Sequence, residues 1–184
     1  MEKTDRRTFI GLTGAAAAAS LVLFGRSGRA APAMHFAVNH TPAEWKKILG
    51  PQRFAVLRQA STERPFSSPL LKEHRRGTFV CAGCAEHLFN SATKFESGTG
   101  WPSFTRPYAE RHLKTIRDTS HGMIRVEIVC ARCGSHQGHV FPDGPPPTGE
   151  RYCINSVSLS FTPEGGRLPD KLGRGAPEGE VVGG

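Results

Sequence analysis

Three things are scarce in this 184-residue chain, and each scarcity removes a class of protein. No apolar run reaches the roughly 20 residues that span a bilayer as a helix. The best candidate, Phe9 to Phe24, is diluted by Gly11, Thr13 and Gly14, so no stable membrane insertion of the mature protein is expected. There is also no basic run interleaved with aromatics. The formal net charge is +8. Lys3, Arg6, Arg7, Arg26 and Arg29 against Glu2 and Asp5 place +3 of it before Met34, leaving +5 scattered over the remainder. That pattern describes a solvated surface and excludes a nucleic-acid face. Cysteine is limited to five residues, an odd number, so disulfide pairing cannot account for all of them. The length allows one domain with a real core and is too short for two sizeable ones. Against these scarcities stand 21 glycines and 14 prolines, which point to a loop-rich, mainly β fold.

Residues 1–33 carry the three parts of an export signal: a charged start, the short apolar run, and small residues at Ala31-Pro32-Ala33. Asp5-Arg6-Arg7-Thr8-Phe9-Ile10 resembles a twin-arginine signal, which implies export of an already folded protein to the periplasm. Cleavage before Met34 is expected. Residues 34–163 then form the domain, and residues 164–184, rich in glycine, read as a disordered tail.

Thr41-Pro42-Ala43-Glu44 has the hydroxyl, proline and carboxylate that start a helix, with Trp45, Ile48 and Leu49 on its apolar side. Gly50-Pro51 ends it, and Phe54, Val56 and Leu57 predict a second short helix. Gly77 to Val80 reads as a strand entering Cys81-Ala82-Gly83-Cys84. Met123 to Val129 reads as another, with Ile124, Val126 and Ile128 on one side, entering Cys130-Ala131-Arg132-Cys133. Two strand-to-CxxC turns each aim two thiolates at one point, which suits a single structural Zn²⁺ held by Cys81, Cys84, Cys130 and Cys133. Two disulfides, or a redox-active CxxC, are the competing readings in an oxidising compartment. A site made of Cys130, Cys133, His136 and His139 alone is rejected, because zinc fingers separate their Cys and His pairs by about a dozen residues.

The stretch from Cys130 to Phe161 concentrates the reactive residue types. His136 and His139 follow the second CxxC. Pro142-Asp143-Gly144 and Pro145 to Pro147 force a loop. From Tyr152 to Phe161, Val157, Leu159 and Phe161 alternate with serines, predicting one half-buried strand. Cys153 and Asn155 share the apolar parity, so they are expected to point inward, about 7 Å apart. Cys153 is either an inert core thiol or a nucleophile served by a histidine and a polar group. Further back, Gly98-Thr99-Gly100-Trp101-Pro102 holds an indole on a loop; a Trp is ordinarily a core residue.

Six segments together, in order along the chain, resemble the B-type methionine sulfoxide reductases: Thr62-Glu63-Arg64-Pro65-Phe66, the two CxxC pairs, Gly100-Trp101-Pro102-Ser103-Phe104, His136-Gln137-Gly138-His139-Val140-Phe141 and Arg151-Tyr152-Cys153-Ile154-Asn155-Ser156. The similarity runs from about Thr41 to Phe161. It implies a β-tent of two small antiparallel sheets tied by zinc far from the chemistry. It also implies reduction of the R epimer of methionine sulfoxide, chiefly in proteins. Carried over by residue, Cys153 is the nucleophile, His139 the acid helped through water by His136 and Asn155, and Trp101 the surface for the ε-methyl group.

Many members of that family have a second cysteine where this chain has Thr99. With four cysteines assigned to zinc, a Cys153 sulfenic acid is expected to persist until an external thiol attacks it. The implied partners are oxidised proteins of the bacterial cell envelope and a thioredoxin-like or other thiol reductant, acting on a monomer. A zinc-containing β-tent binding module without catalysis and a general thiol peroxidase are the alternatives.

Overall fold

The computed structural model describes residues 34–167, so the export signal and most of the expected tail lie outside the described residues. The chain divides into two compact units, residues 1–34 and 35–184. Every described helix and strand belongs to the second.

Thr41 caps helix α1 (Pro42–Gln59) with the full reciprocal box. Its Oγ1 accepts from the Glu44 N–H at 3.3 Å while Glu44 Oε2 accepts from the Thr41 N–H at 2.8 Å. Gly50, at φ 70° and ψ 172°, breaks the helical path and Pro51 restarts it, giving the two short helices expected from the sequence. Trp45, Leu49, Val56 and Leu57 are buried. Ile48 is not: the i,i+4 pair Trp45 and Leu49 defines the inward stripe, and Ile48 falls on its flank, exposed. No described helix is long and apolar enough to cross a membrane.

Among the described residues, nine strands make two antiparallel sheets. β1 (Gly77–Cys81), β2 (His87–Asn90) and β9 (Leu159–Pro163) form a three-stranded sheet in the order β2-β1-β9. The second sheet takes β3 (Lys94–Phe95), β4 (Ser103–Phe104), β5 (Leu113–Asp118), β6 (Arg125–Cys130), β7 (His136–Phe141) and β8 (Arg151–Ile154) in the order β3-β4-β8-β7-β6-β5. Phe79 and Leu159 from the smaller sheet meet Phe104, Ile128, Tyr152 and Ile154 from the larger in one core. Phe104 lies stacked on Phe89, ring centroids 4.3 Å apart, with Phe79 edge-on at 5.0 Å. The expected architecture, two antiparallel sheets with short N-terminal helices, is the one found.

The expected single strand from Tyr152 to Phe161 is two strands in different sheets. Asn155 leaves the β8 path, and the 3-10 turn Ser156–Ser158 carries the chain across to β9. Of the serines that looked solvent-facing, Ser158 is bonded inside the crossing. Ser158 is fully buried, its Oγ donating to the His136 carbonyl and its own carbonyl accepting from the Ala82 N–H. The parity argument fails with the strand. Tyr152 and Ile154 face the core and Cys153 faces the other way, half-buried. The strand expected from Met123 begins at Arg125, leaving Ile124 74% and Val126 41% exposed. In the described part of the expected tail, the Glu164 N–H donates to the Arg76 carbonyl and the Gly166 N–H to the Pro163 carbonyl.

Candidate active site and metal centre

Each CxxC turn is built the same way. In the first, the Cys81 N–H donates to the Glu86 carbonyl and Ala85 N–H to Cys81 O; in the second, Cys130 N–H donates to Ser135 O and Gly134 N–H to Cys130 O. These bonds fold both turns tightly enough to aim all four thiols inward. The sulfurs of Cys81, Cys84, Cys130 and Cys133 are buried and lie within 4.8 Å of one another. Cys81 to Cys133 is 3.7 Å and Cys84 to Cys130 is 3.6 Å. Four sulfurs each about 2.3 Å from a tetrahedral Zn²⁺ sit roughly 3.8 Å apart, whereas a disulfide needs about 2.05 Å. The donor set therefore fits one closed, four-thiolate metal and no disulfide. Because β1 and β6 lie in different sheets, a metal here joins the two.

The groups around this cluster are polar and committed. Arg58 Nη1 donates to the Cys133 carbonyl at 2.9 Å, Arg132 Nη1 to the Cys84 carbonyl at 2.8 Å, and Val38 N–H to the Arg132 carbonyl at 3.0 Å. Buried Gln137 reaches further. Its Nε2 lies 3.5 Å from Cys81 Sγ, while its carbonyl accepts from the Asn155 N–H at 2.8 Å and from Asn155 Nδ2 at 3.2 Å. One residue thus touches both the four-cysteine cluster and a predicted site residue.

The reactive residues form a row across the larger sheet. Ile116 pairs with Glu127, Glu127 with His139, His139 with Cys153, Cys153 with Ser103 and Ser103 with Phe95. Directly opposed residues of antiparallel strands share a face, with Cβ atoms about 4.5–5.5 Å apart. Imidazole and thiol are therefore neighbours by construction. The pairing is close at Gly138, where a Cβ would collide with the Cys153 carbonyl oxygen, so β7 and β8 approach as only a glycine permits.

Each imidazole is held by a carboxylate. Asp118 Oδ2 meets His139 Nε2 at 2.8 Å, and Glu127 Oε1 meets His136 Nδ1 at 2.6 Å. Arg125 Nη2 also donates to Asp118, at 2.7 Å. Hydrogen bonds from Ser120 and then His139 hold the Asp118 carboxyl well below the usual carboxylate range. Burial pushes the His139 pKa down, Asp118 opposes this, and Arg125 and His136 add to the lowering. Burial likewise pushes the Cys153 thiol up, with the Arg151 guanidinium and the Thr99 hydroxyl pulling the other way. The resting pair is therefore a thiol beside a neutral imidazole. His136 is 4% exposed and its Nε2 has no protein partner, which leaves that nitrogen free for water or substrate.

The tryptophan loop meets the end of this row. Ile154 N–H donates to the Pro102 carbonyl at 3.0 Å, and Trp101 lies two residues before Ser103, the cross-strand partner of Cys153. The indole Nε1–H donates to the Glu63 carbonyl at 3.2 Å, leaving the ring partly exposed. Thr99 Oγ1 lies 4.0 Å from Cys153 Sγ and 2.8 Å from Ser97 Oγ, which in turn lies 2.7 Å from Ser103 Oγ. Asn155 is held more tightly than the sequence suggests: its Oδ1 accepts from the Glu63 N–H at 3.1 Å, and its amide already donates to Gln137.

Residues 49–163 match the SelR domain model. A peptide methionine sulfoxide reductase MsrB of Bradyrhizobium diazoefficiens is 58% identical over 121 residues, 66% of this chain and 87% of that protein. One of Methanosarcina barkeri is 56% identical over 128 residues, covering 70% and 90%, and one of Leptospira interrogans is 52% identical over 131 residues, covering 71% and 100%. The chain belongs to the B-type methionine sulfoxide reductases.

The sequence alone missed three groups in this reductase. Asp118 and Glu127 orient the histidines but reach them only through strand register, and Glu63 sits in a motif that carries the family resemblance without showing a role. A carboxylate on the β6 strand, one residue before Ile128 reaches the core face, is no signal without the pairing that sets it opposite His139.

Proposed function

We propose that this reductase acts on the R epimer of methionine sulfoxide in proteins, with Cys153 as nucleophile and His139 as acid. The direct cross-strand pairing of His139 with Cys153 is the observation that carries the proposal. A sulfoxide oxygen leaves poorly until protonated, so attack on sulfur needs a proton donor beside the oxygen. The Cys153 sulfur bonds to the substrate sulfur, the protonated oxygen passes to the Cys153 sulfur as the substrate sulfur–oxygen bond breaks, and the sulfur–sulfur bond breaks to free the methionine. The substrate gains two electrons and leaves as methionine, Cys153 loses two and becomes the sulfenic acid, and the thiol proton ends on the transferred oxygen. His139 carries that proton between the two. Glu127 fixes His136 with its second nitrogen available for water, and Asn155 holds the backbone around it. Trp101 offers its face to the methyl group, which with the oxygen and the attack line makes three fixed points about a chiral sulfur.

One zinc ion held by Cys81, Cys84, Cys130 and Cys133 would be structural, closing the two sheets without an open position for chemistry. An external thiol condenses with the sulfenic acid, releasing water, and a second thiol frees Cys153 as thiol. The twin-arginine-like start supports export and a periplasmic site of action on oxidised proteins. The scattering of basic residues along the sequence argues against a nucleic-acid partner, and a monomer suffices because every proposed site residue is on one chain. Peptide methionine sulfoxide assayed with Cys153→Ser and His139→Gln tests the roles. The first variant is expected to be inactive and the second to lose about 10²–10⁴-fold; full activity in either removes the assignment. N-terminal sequencing of the envelope fraction beginning at Met34 tests export.

A further inference from the structure

Glu63 is a carboxylate that is 9% exposed, on an irregular segment after α1. None of the roles proposed for the site residues uses it. Every polar group it owns is spent on the site. Oε1 accepts from the Ser156 N–H, and Oε2 accepts from the Val157 N–H at 3.1 Å. Its N–H donates to Asn155 Oδ1 at 3.1 Å, and its carbonyl accepts from Trp101 Nε1 at 3.2 Å. The main-chain groups of Glu63 therefore hold a carboxamide and an indole, while its side chain grips the first turn after the nucleophile's strand. Ionised acceptors bind backbone N–H groups more strongly than neutral ones, and two such bonds in fixed geometry define where this stretch of backbone sits. The segment is pinned again at Phe66, whose N–H donates to the Gly100 carbonyl at 2.8 Å beside Trp101.

We propose that Glu63 is a positioning residue that keeps Trp101 and Asn155 in register with Cys153, so that the methyl-binding surface and the reacting sulfur stay at a fixed separation. This rests on the reading of Trp101 as the methyl surface. The carboxylate acts through those two residues and touches no reacting atom. Glutamine in its place would turn an N–H donor toward either Ser156 or Val157, each of which already presents a donor. The segment would shift, and the indole and carboxamide would shift with it. Displacement of a positioning contact by about 1 Å can cost on the order of 100-fold in rate.

The test uses the zinc-loaded protein as Glu63→Gln and Glu63→Asp. With a peptide R-sulfoxide, Glu63→Gln is expected to lose about 10- to 100-fold in kcat/KM, with part of the loss in KM and with weakened rejection of the S epimer. Alkylation of Cys153 by iodoacetamide should keep its wild-type rate, because nothing about the sulfur changes. In a Trp101→Phe background the same substitution should cost only about threefold or less, since contacting residues couple and independent ones do not. Glu63→Asp, which keeps the charge one methylene short, should recover part of the activity and serves if the glutamine variant folds poorly. Wild-type kcat/KM and epimer preference in Glu63→Gln overturn the inference. So does an undiminished penalty in the Trp101→Phe background, or an activity loss that tracks only the folded fraction at unchanged KM. An inactive wild-type protein would instead remove the reading of the site on which the inference depends.

Discussion

His139 and Cys153 oppose each other directly across β7 and β8, in the same row that carries Glu127 and Ser103. Thiol reactivity in such a pair should follow the groups that move its proton. Burial raises the Cys153 pKa while Arg151 lowers it, so the thiolate fraction at neutral pH is small and grows as pH rises. Alkylation of Cys153 should therefore accelerate with pH through a midpoint above the ordinary thiol value. Arg151→Ala should move that midpoint higher still, because the cation favouring the thiolate is gone. A midpoint unmoved or lowered in the variant would contradict the electrostatic description.

Asp118 is expected to set the acid limit of turnover. Its hydrogen bond opposes the lowering of the His139 pKa. In Asp118→Asn the imidazolium is more weakly held, so His139 loses its proton at lower pH. Because His139 must be neutral to take the Cys153 proton, the rise in kcat from acid pH should begin at lower pH than in the wild type, while the plateau falls as the imidazolium formed in the relay loses its partner. The pH profile of kcat for the two proteins decides this.

Metal removal should unfold the protein. Structural zinc in thiolate sites contributes apparent folding free energy of about 10 kcal/mol or more, comparable with the whole stability of a domain. Native mass spectrometry should find one zinc per chain. Cys130→Ser, or a strong chelator, should collapse the thermal midpoint by tens of degrees; a retained midpoint would show that the two sheets hold without it.

Thr99 should decide the fate of the sulfenic acid. Its hydroxyl is 4.0 Å from Cys153 Sγ, and the four remaining thiols are buried in a cluster of their own. After one turnover without reductant, the intact mass should rise by a single oxygen. Thr99→Cys places a thiol within reach and should instead give a product two hydrogens lighter than its reduced form, the mark of a disulfide. A disulfide in the wild-type protein would contradict the expectation.

Local signals in the sequence led to the parts of the fold they control. Thr41 and Glu44 announced the capping box, Gly50-Pro51 the break in α1, and the doubled CxxC the four-cysteine cluster, because each depends on a few adjacent residues. Cys153 and the histidines were legible as residue types at suggestive spacings. Their arrangement was not, since register is a property of two strands. The expectation for Tyr152 to Phe161 failed because Ser156 and Ser158 alternate as strand serines do, while the Ser156 backbone and the Ser158 hydroxyl serve a crossing between sheets. Glu63 and Asp118 were illegible for the same reason: their partners lie 92 and 21 positions away in the chain.

A single-turnover reaction with separated methionine sulfoxide epimers tests the central claim most directly. Reduced protein mixed with the R form should release one equivalent of methionine and one Cys153 sulfenic acid, the S form should release none, and Cys153→Ser should release none from either. Equal methionine from both epimers, or methionine from Cys153→Ser, would contradict an account in which one sulfur, one imidazole and one indole surround a chiral guest.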